Sequence, residues 1–173
     1  MRATLAIAAT AALAGCAAQT VEVRSASAAE AEVRDVAGRV VARSRVAQIG
    51  NGVRIRVEAA GLAAGTYGAH VHAVGRCESP AFESAGPHWN PTGTAHGRDN
   101  PQGQHLGDLP NLVVGTDGRG SIEFSIPAAT FSRGRAAMLD VDGAAIVIHA
   151  RPDDYRTDPS GNSGTRIACG VFR

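Results

Sequence analysis

The chain has no lysine, and its formal net charge is only +1. All 17 of its basic residues are arginines, against 16 acidic residues among 173 positions. Without Arg2, which lies in the leader segment described next, the balance is 16 against 16. Because a nucleic-acid partner requires a basic surface, this composition argues against that class of function.

The sequence has no N-terminal apolar run long enough to cross a bilayer. Residues 3–14 are apolar and follow Arg2, but a membrane-spanning helix needs about 20 such residues. This layout predicts a secretory signal over residues 1–15. Leu13-Ala14-Gly15-Cys16 resembles a bacterial lipobox, which predicts lipidation of Cys16 and anchoring to a membrane on the periplasmic side of the bacterial cell envelope. The polar, small residues that follow predict a flexible tether over residues 16–31. An ordinary signal peptide that contains a cysteine is the alternative.

Cysteine is scarce, with three in the whole chain. If Cys16 carries a lipid, Cys77 and Cys169 remain as a pair. In an exported protein such a pair predicts a disulfide, which would close a long loop. Two unpaired buried thiols are the alternative.

Long amphipathic helical patterns are also missing from the body of the chain. Short, alternating runs punctuated by glycine take their place, and about eight strands with hairpin turns predict an all-β antiparallel sandwich or barrel over residues 32–173. The predicted turns are Gly50-Asn51-Gly52, Asp117-Gly118 and Asp142-Gly143. The predicted strands cover residues 33–36, 38–48, 53–59, 67–74, 112–114, 121–126, 136–139, 144–150 and 166–172.

Two long polar segments interrupt this strand pattern, at residues 75–111 and 151–165, and loops of this length are usually functional or disordered. Alternation along a strand places His70 and His72 on the face opposite Val71. The same parity places His149 opposite the core. Three histidines are therefore expected on the outside of the barrel wall, where the long loops could cover them.

All six histidines lie between positions 70 and 149, in a pattern typical of metal ligands. They are His70, His72, His88, His96, His105 and His149, with Asp108 three residues after His105. These seven side chains suffice for two ions if one histidine is shared. Scattered surface histidines and a single zinc site are the alternatives.

In combination, these motifs resemble the copper–zinc superoxide dismutase family. The matching stretches are Gly68-Ala-His-Val-His-Ala-Val-Gly75 with Cys77, Gly86-Pro-His-Trp-Asn-Pro91, His96-Gly97, His105-Leu-Gly-Asp-Leu109, Ile148-His-Ala150 and Gly161 to Val171. The resemblance implies an eight-stranded Greek-key barrel with two functional loops. It also allows a homodimer, for which the sequence marks no surface.

Position by position, the resemblance implies two metal sites that share His88. It assigns copper to His70, His72, His88 and His149, and zinc to His88, His96, His105 and Asp108. Asp153 would link copper and zinc histidines through their remote ring nitrogens, although a turn-capping carboxylate is the alternative. Cys77 and Cys169 match the family's disulfide.

The implied reaction converts superoxide into dioxygen and hydrogen peroxide. Copper would be reduced and reoxidised in turn, His88 would pass a proton to the departing peroxide, and Arg166 would attract and orient the anion. A surface role for Arg166 is the alternative to this one. For the whole protein, the alternatives are a metal-binding module without catalysis and a copper-only dismutase.

Overall fold

The computed structural model describes residues 27–173, so the predicted signal segment and Cys16 lie outside the described part. The strands are β1 (Ala28–Asp35), β2 (Val40–Ile49), β3 (Gly52–Ala60), β4 (Gly65–Tyr67), β5 (Ala69–His72), β6 (Leu112–Val114), β7 (Arg119–Pro127), β8 (Ala145–His149) and β9 (Arg166–Val171). One short 3-10 helix, Glu83–Ala85, lies between β5 and β6. Within the described residues, no helix is long and apolar enough to cross a membrane.

Seven strands form one curled antiparallel sheet in the order β5-β8-β9-β1-β2-β3-β7, and β4 pairs with β6. The insertion of β8 and β9 between β5 and β1 gives the crossed connections of a Greek-key barrel. Alternation along the strands builds the core, since every second residue of β1 and β3 is buried. The all-β fold predicted from the sequence is confirmed.

The strand predictions were largely right, with three corrections. The first strand begins at Ala28, so residues 28–31, predicted as tether, belong to β1 instead. The predicted strand at residues 67–74 is divided at Gly68 into β4 and β5. A Cβ on Gly68 would lie 2.9 Å from Cβ of Ser163, so this close packing admits no side chain.

The third correction concerns residues 136–139, which were predicted to form a strand. They lie in the long connection between β7 and β8, where Thr130 and Ala137 form an isolated bridge instead of a ladder. Met138 in this segment is buried in the main core. The apolar residues of this segment therefore pack into the core without pairing with a neighbouring strand. The predicted turn at Asp142-Gly143 consequently does not connect two strands of a hairpin.

The two predicted turns, one between β2 and β3 and one between β6 and β7, are present. Ile49 pairs with Gly52 around a two-residue turn in which Gly50 has a φ of 55°. Gly118 has a φ of 73° in the turn between β6 and β7. Positive φ values are inexpensive for glycine, which explains why glycine-containing turns were good sequence markers.

A disulfide joins Cys77 to Cys169, as predicted. It connects the start of the long loop after β5 to the last strand, β9. Cys169 lies in a small second cluster of buried residues with Phe82, Ala85 and Val147. The disulfide and this cluster together hold the loop against the outer face of the sheet.

Candidate metal centre

Strand parity places three histidines on the outer face of the barrel wall. His70 and His72 of β5 pair across the ladder with Val147 and Ala145 of β8, while Val71 lies in the main core. His149 ends β8 on the same outer face. These three histidines therefore lie on the face of the sheet that strand alternation predicted. The long loops cover these rings so completely that His70 and His72 have no exposed surface.

Two clusters of four ligand atoms share His88, and a third group of three, His70, His96 and Asp153, connects them. The ligand atoms of each cluster lie within 4.8 Å of one another. The strand cluster contains His70, His72, His88 and His149, and the loop cluster contains His88, His96, His105 and Asp108. The structure thus brings together all seven side chains that the sequence singled out.

Unpaired ring nitrogens mark the strand cluster as a place for a cation. Five buried nitrogens in the described residues have no hydrogen-bond partner: Nδ1 of His70, Nε2 of His72, Nε2 of His88, Nδ1 of His96 and Nε2 of His149. A buried polar atom without a partner costs about 1–3 kcal/mol, so such atoms rarely gather by chance. Four of the five belong to the strand cluster. They fit a metal ion bound by imidazole nitrogens.

The loop cluster is centred on one carboxylate oxygen. Nδ1 of His88 lies 2.9 Å and Nδ1 of His105 lies 3.1 Å from Oδ1 of Asp108. Nδ1 of His96 also lies 3.1 Å from this oxygen, in a close contact that lacks hydrogen-bond geometry. The other oxygen of Asp108 accepts hydrogen bonds from the backbone N–H groups of Gly97 and His105. Three nitrogens and one carboxylate are a donor set that suits tetrahedral zinc.

Hydrogen bonds on the remote ring nitrogens set the orientation of most of these histidines. Asp153 joins the two clusters, since its Oδ2 lies 2.7 Å from Nε2 of His70 and its Oδ1 lies 3.0 Å from Nε2 of His96. The carbonyl oxygens of Gly86 and Gly164 lie 2.8 and 3.2 Å from Nδ1 of His72 and of His149. The remaining ring nitrogens therefore point into the clusters, as metal ligands require.

Burial sets the protonation of the strand cluster. It lowers the pKa of His70 and His72, and it lowers that of His88 to about 4 and that of His149 to about 3. Neighbouring imidazoles lower the pKa values of these rings further. These rings are thus neutral at pH 7, which is the form that binds metals.

The loop cluster has the opposite electrostatics. Burial acts to lower the pKa of His96, but contacts with Asp108 and Asp153 outweigh it and raise that pKa to about 9. Burial acts to raise the pKa of Asp108, yet its contacts with His105, His88 and His96 hold it well below its usual range. Two carboxylates therefore favour a positive charge at this position, as a metal ion would supply.

Arg166 lies in the wall of the cavity that reaches the strand cluster. Its guanidinium donates hydrogen bonds to the carbonyl oxygens of Phe82 and Gly86, over 2.7 and 2.8 Å. The cavity, which we call the substrate cavity, has a volume of about 940 Å³, and its lining includes His72, His88, His149, Glu83 and Arg166. Arg166 therefore lies beside the candidate metal ligands, as the resemblance implied, and not on a remote surface.

Sequence reasoning missed two residues that hold Asp153 in place. The side-chain amide of Asn111 donates to the carbonyl oxygen of Asp153, and the Asp153 N–H donates to Oδ1 of Asn111. Gly161 packs so closely that a Cβ there would lie 1.8 Å from Oδ1 of Asp153. No local pattern marks Asn111, because its partner is distant in sequence. Gly161 lay within a matched motif, but its role depends on tertiary contact.

Comparisons with known proteins agree with this geometry. The family model described as copper/zinc superoxide dismutase matches residues 36–172. A protein named superoxide dismutase [Cu-Zn] 2, from Aquifex aeolicus, is 41% identical over 84% of this chain and 86% of its own length. Superoxide dismutase [Cu-Zn] from Caulobacter vibrioides is 42% identical over 74% of this chain and 75% of its own length.

Solved structures show the same fold. A crystal structure of a SOD-like protein from Bacillus subtilis superposes with a TM-score of 0.77 at 39% identity, covering 82% of this chain and 96% of that one. The clock protein EA4 superposes with a TM-score of 0.69 at 30% identity, covering 85% and 94% of the two chains. With the matched family model and the curated relatives, these findings show that the chain belongs to the copper/zinc superoxide dismutase family.

Proposed function

We propose that this protein dismutes superoxide, with a redox-active copper ion in the strand cluster and a structural zinc ion in the loop cluster. One observation carries the proposal: the single ring of His88 belongs to both clusters. Its Nδ1 lies among the donors of the loop cluster, and its buried Nε2 has no hydrogen-bond partner. Such a shared ring couples two ions, and a single-metal site has no use for it.

The ligand atoms follow from the contacts. Copper would be held by Nδ1 of His70 and by Nε2 of His72, His88 and His149, and zinc by Nδ1 of His88, His96 and His105 with Oδ1 of Asp108. When bound, copper supplies the one-electron chemistry that turns two superoxide anions and two protons into dioxygen and hydrogen peroxide, and zinc, which has no redox chemistry, holds geometry.

The protein's own groups bind the anion and move a proton. The guanidinium of Arg166 is held by two backbone carbonyls, so its charge and remaining N–H groups stay directed at the substrate cavity, where they attract and orient a small anion. His88 also lines this cavity. Its Nε2, which has no hydrogen-bond partner, is the atom placed to hold a proton and deliver it to the departing peroxide.

Substitution of Arg166 tests this role. We expect Arg166→Ala to lower kcat/KM for superoxide by about tenfold or more, because the fixed charge that draws in the anion is lost. Arg166→Lys should recover part of the loss, since it keeps the charge but lacks the forked donors. Arg45→Ala, which removes an exposed arginine of β2 outside the substrate cavity, is the matched control. Equal activity of all four proteins at full metal occupancy would contradict the role.

Metal analysis coupled to the activity assay tests the function as a whole. We expect one copper and one zinc per chain, with superoxide removal in the loaded protein. A fully loaded protein without activity would instead indicate a metal buffer or delivery module. An active protein that holds copper and no zinc would contradict the zinc assignment.

We also propose that the protein is exported and anchored by a lipid on Cys16 in the bacterial cell envelope. The lipobox-like segment that ends at Cys16 supports this proposal, and so does the disulfide, because such bonds persist in oxidising compartments. Mass spectrometry of the mature N-terminus tests it, with Cys16→Ser as the control. An unmodified N-terminus downstream of Cys16 would refute it.

A further inference from the structure

A second cavity reaches the loop cluster from outside the substrate cavity. This groove, which we call the zinc-side groove, has a volume of about 490 Å³, and its lining includes His88, Trp89, His105, Arg135, Asp140 and Asp158. It shares only Pro87, His88 and Pro159 with the substrate cavity. His72, His149 and Arg166 line the substrate cavity alone, and His105 lines the zinc-side groove alone. The two cavities thus adjoin at His88, but each is lined by donors of a different cluster.

His105 is the least restrained ligand of the loop cluster. Within residues 27–173, no hydrogen-bond partner is found for its Nε2, whereas the remote nitrogens of His70, His72, His96 and His149 all have one. The His96 side chain is completely buried, and the His105 side chain is 8% exposed. When the ring of His105 turns toward the groove, it therefore breaks its Nδ1 contacts inside the cluster, but no second hydrogen bond at Nε2 holds it back.

The other donors of this cluster cannot move as freely. Asp108 accepts two backbone hydrogen bonds as well as its histidine contacts, and His96 is tied to Asp153. His88 belongs to both clusters. A metal ion that leaves this cluster would therefore lose His105 first, and it would emerge into the zinc-side groove.

We infer that zinc enters and leaves through the zinc-side groove, with the ring of His105 as the moving ligand. This inference rests on the proposed zinc site. The charges along the groove would act on the passing cation: Asp140 attracts it and Arg135 repels it. Both side chains are exposed, so they act on the rate of entry more than on the bound state.

Zinc association kinetics test the route, with zinc chloride added to metal-free protein in the presence of a chromogenic chelator. At low ionic strength we expect Arg135→Ala to raise the association rate constant by about two- to tenfold, and Asp140→Asn to lower it by a similar factor. Asp140→Asn keeps an oxygen that can accept the Asp142 N–H. Both effects should shrink at high salt, since screening weakens them.

Matched controls separate the groove from the general surface and from the substrate cavity. Arg133→Ala removes an exposed arginine from the same connection but outside the groove, and it should leave the zinc rate unchanged. Glu83→Gln alters a charge of the substrate cavity, and it too should leave the zinc rate unchanged. A zinc rate that responds to Glu83→Gln but not to Arg135→Ala would overturn the inference.

Release from the loaded protein provides the second measurement. Because the shared ring of His88 couples the two ions, release is compared among copper-loaded proteins: at low ionic strength Arg135→Ala should raise the rate at which zinc passes to the chelator, and Glu83→Gln should leave that rate unchanged. A release rate that responds to Glu83→Gln but not to Arg135→Ala would mean that zinc leaves through the substrate cavity, which refutes the route. A wild-type protein that binds no zinc would refute the proposed zinc site itself, so the two failures are distinguishable.

Discussion

The strand cluster and the loop cluster share a histidine, but different kinds of backbone build them. His70, His72 and His149 stand on β5 and β8, whose ladder sets their spacing. The loop cluster takes all four donors from positions 88–108 of one long loop, where the described residues contain no regular strand or helix. The sheet therefore positions three donors of the first site, whereas the donors of the second site are positioned by contacts between loop side chains and backbone.

The electrostatics of the two clusters follow this division. Neutral rings in a buried environment make the strand cluster a site for an ion that prefers nitrogen ligands. In the loop cluster, His96 lies between the carboxylates of Asp108 and Asp153, which raise its pKa to about 9 and keep the ring charged at pH 7. A cation at the loop cluster would therefore replace a proton that the protein already accommodates there.

Loss of the disulfide should give the largest effect and should affect the strand cluster more than the loop cluster. The double variant Cys77→Ser/Cys169→Ser opens a loop that the disulfide closes across a sequence separation of 92 residues. The chain-entropy model predicts that this opening lowers the free energy of unfolding by about 4–5 kcal/mol. The freed loop also carries Phe82 and Gly86, which hold Arg166 and His72. Chemical denaturation measures the stability. Ser44→Ala, a change within the sheet, is a comparison for a small local loss.

Cys→Ser variants that keep wild-type stability would contradict this account. A stability loss with unchanged superoxide affinity would show instead that the loop holds its position without the covalent link. Either result would weaken the view that the strand cluster depends on its covering loop.

Acidification should destabilise the metal-free protein next most strongly. His88 and His149 have lowered pKa values, about 4 and 3, so below pH 6.5 the unfolded chain binds protons that the fold excludes. We expect a loss of about 2–3 kcal/mol between pH 6 and pH 5, from two histidines at about 1.4 kcal/mol per pH unit each. Urea denaturation at each pH measures it.

The titration of His96 should change the stability of the metal-free protein in the opposite direction. Its raised pKa, about 9, stabilises the fold fully below pH 6.5, and this contribution is lost as the pH rises through 9. The metal-free protein should therefore be most stable near neutral pH. A stability that rises steadily as the pH falls from 7 to 4 would contradict the assigned protonation of the strand cluster.

Replacement of Asp153 should weaken both clusters together. Asp153→Ala removes the acceptor of His70 and of His96, and the loss of such a partner typically costs 10–100-fold in metal affinity, about 1.4–2.7 kcal/mol. Competition with a chelator measures the affinity for zinc and for copper. Asp154→Ala is the neighbouring control, since Asp154 is exposed and contacts only loop residues. Weakened zinc binding with unchanged copper binding would show that the link serves the loop cluster alone.

The outer wall of the barrel should give the smallest effect. Arg45 and Glu30 form an exposed ion pair between β1 and β2. Glu30→Gln should change the free energy of unfolding by about 0.5 kcal/mol, because solvent screens exposed pairs, and should leave both metal affinities unchanged. Thermal denaturation measures the shift. An effect as large as that of Asp153→Ala would remove the contrast between the wall and the metal centre.

Much of this structure could be predicted because its signals are local. Alternation along β5 and β8 gave the face on which His70, His72 and His149 lie, and glycine marked the turns at positions 50 and 118. The prediction failed where a segment had no local reason for its conformation. Residues 136–139 look like a strand because Met138 fills the core, and residues 28–31 look like tether because their alanines are small.

The amino-acid sequence by itself determined the all-β class, the outward parity of the strand histidines and the identity of the seven donor side chains. Tertiary structure alone decided that Asn111 and Gly161 hold Asp153 between the two clusters, and that a different cavity borders each cluster. The physical reason is the distance along the chain over which each interaction acts. Strand alternation and turn preferences depend on neighbouring residues. The burial of a side chain, the orientation of a remote ring nitrogen and the access of solvent to a cluster depend on which distant segments meet.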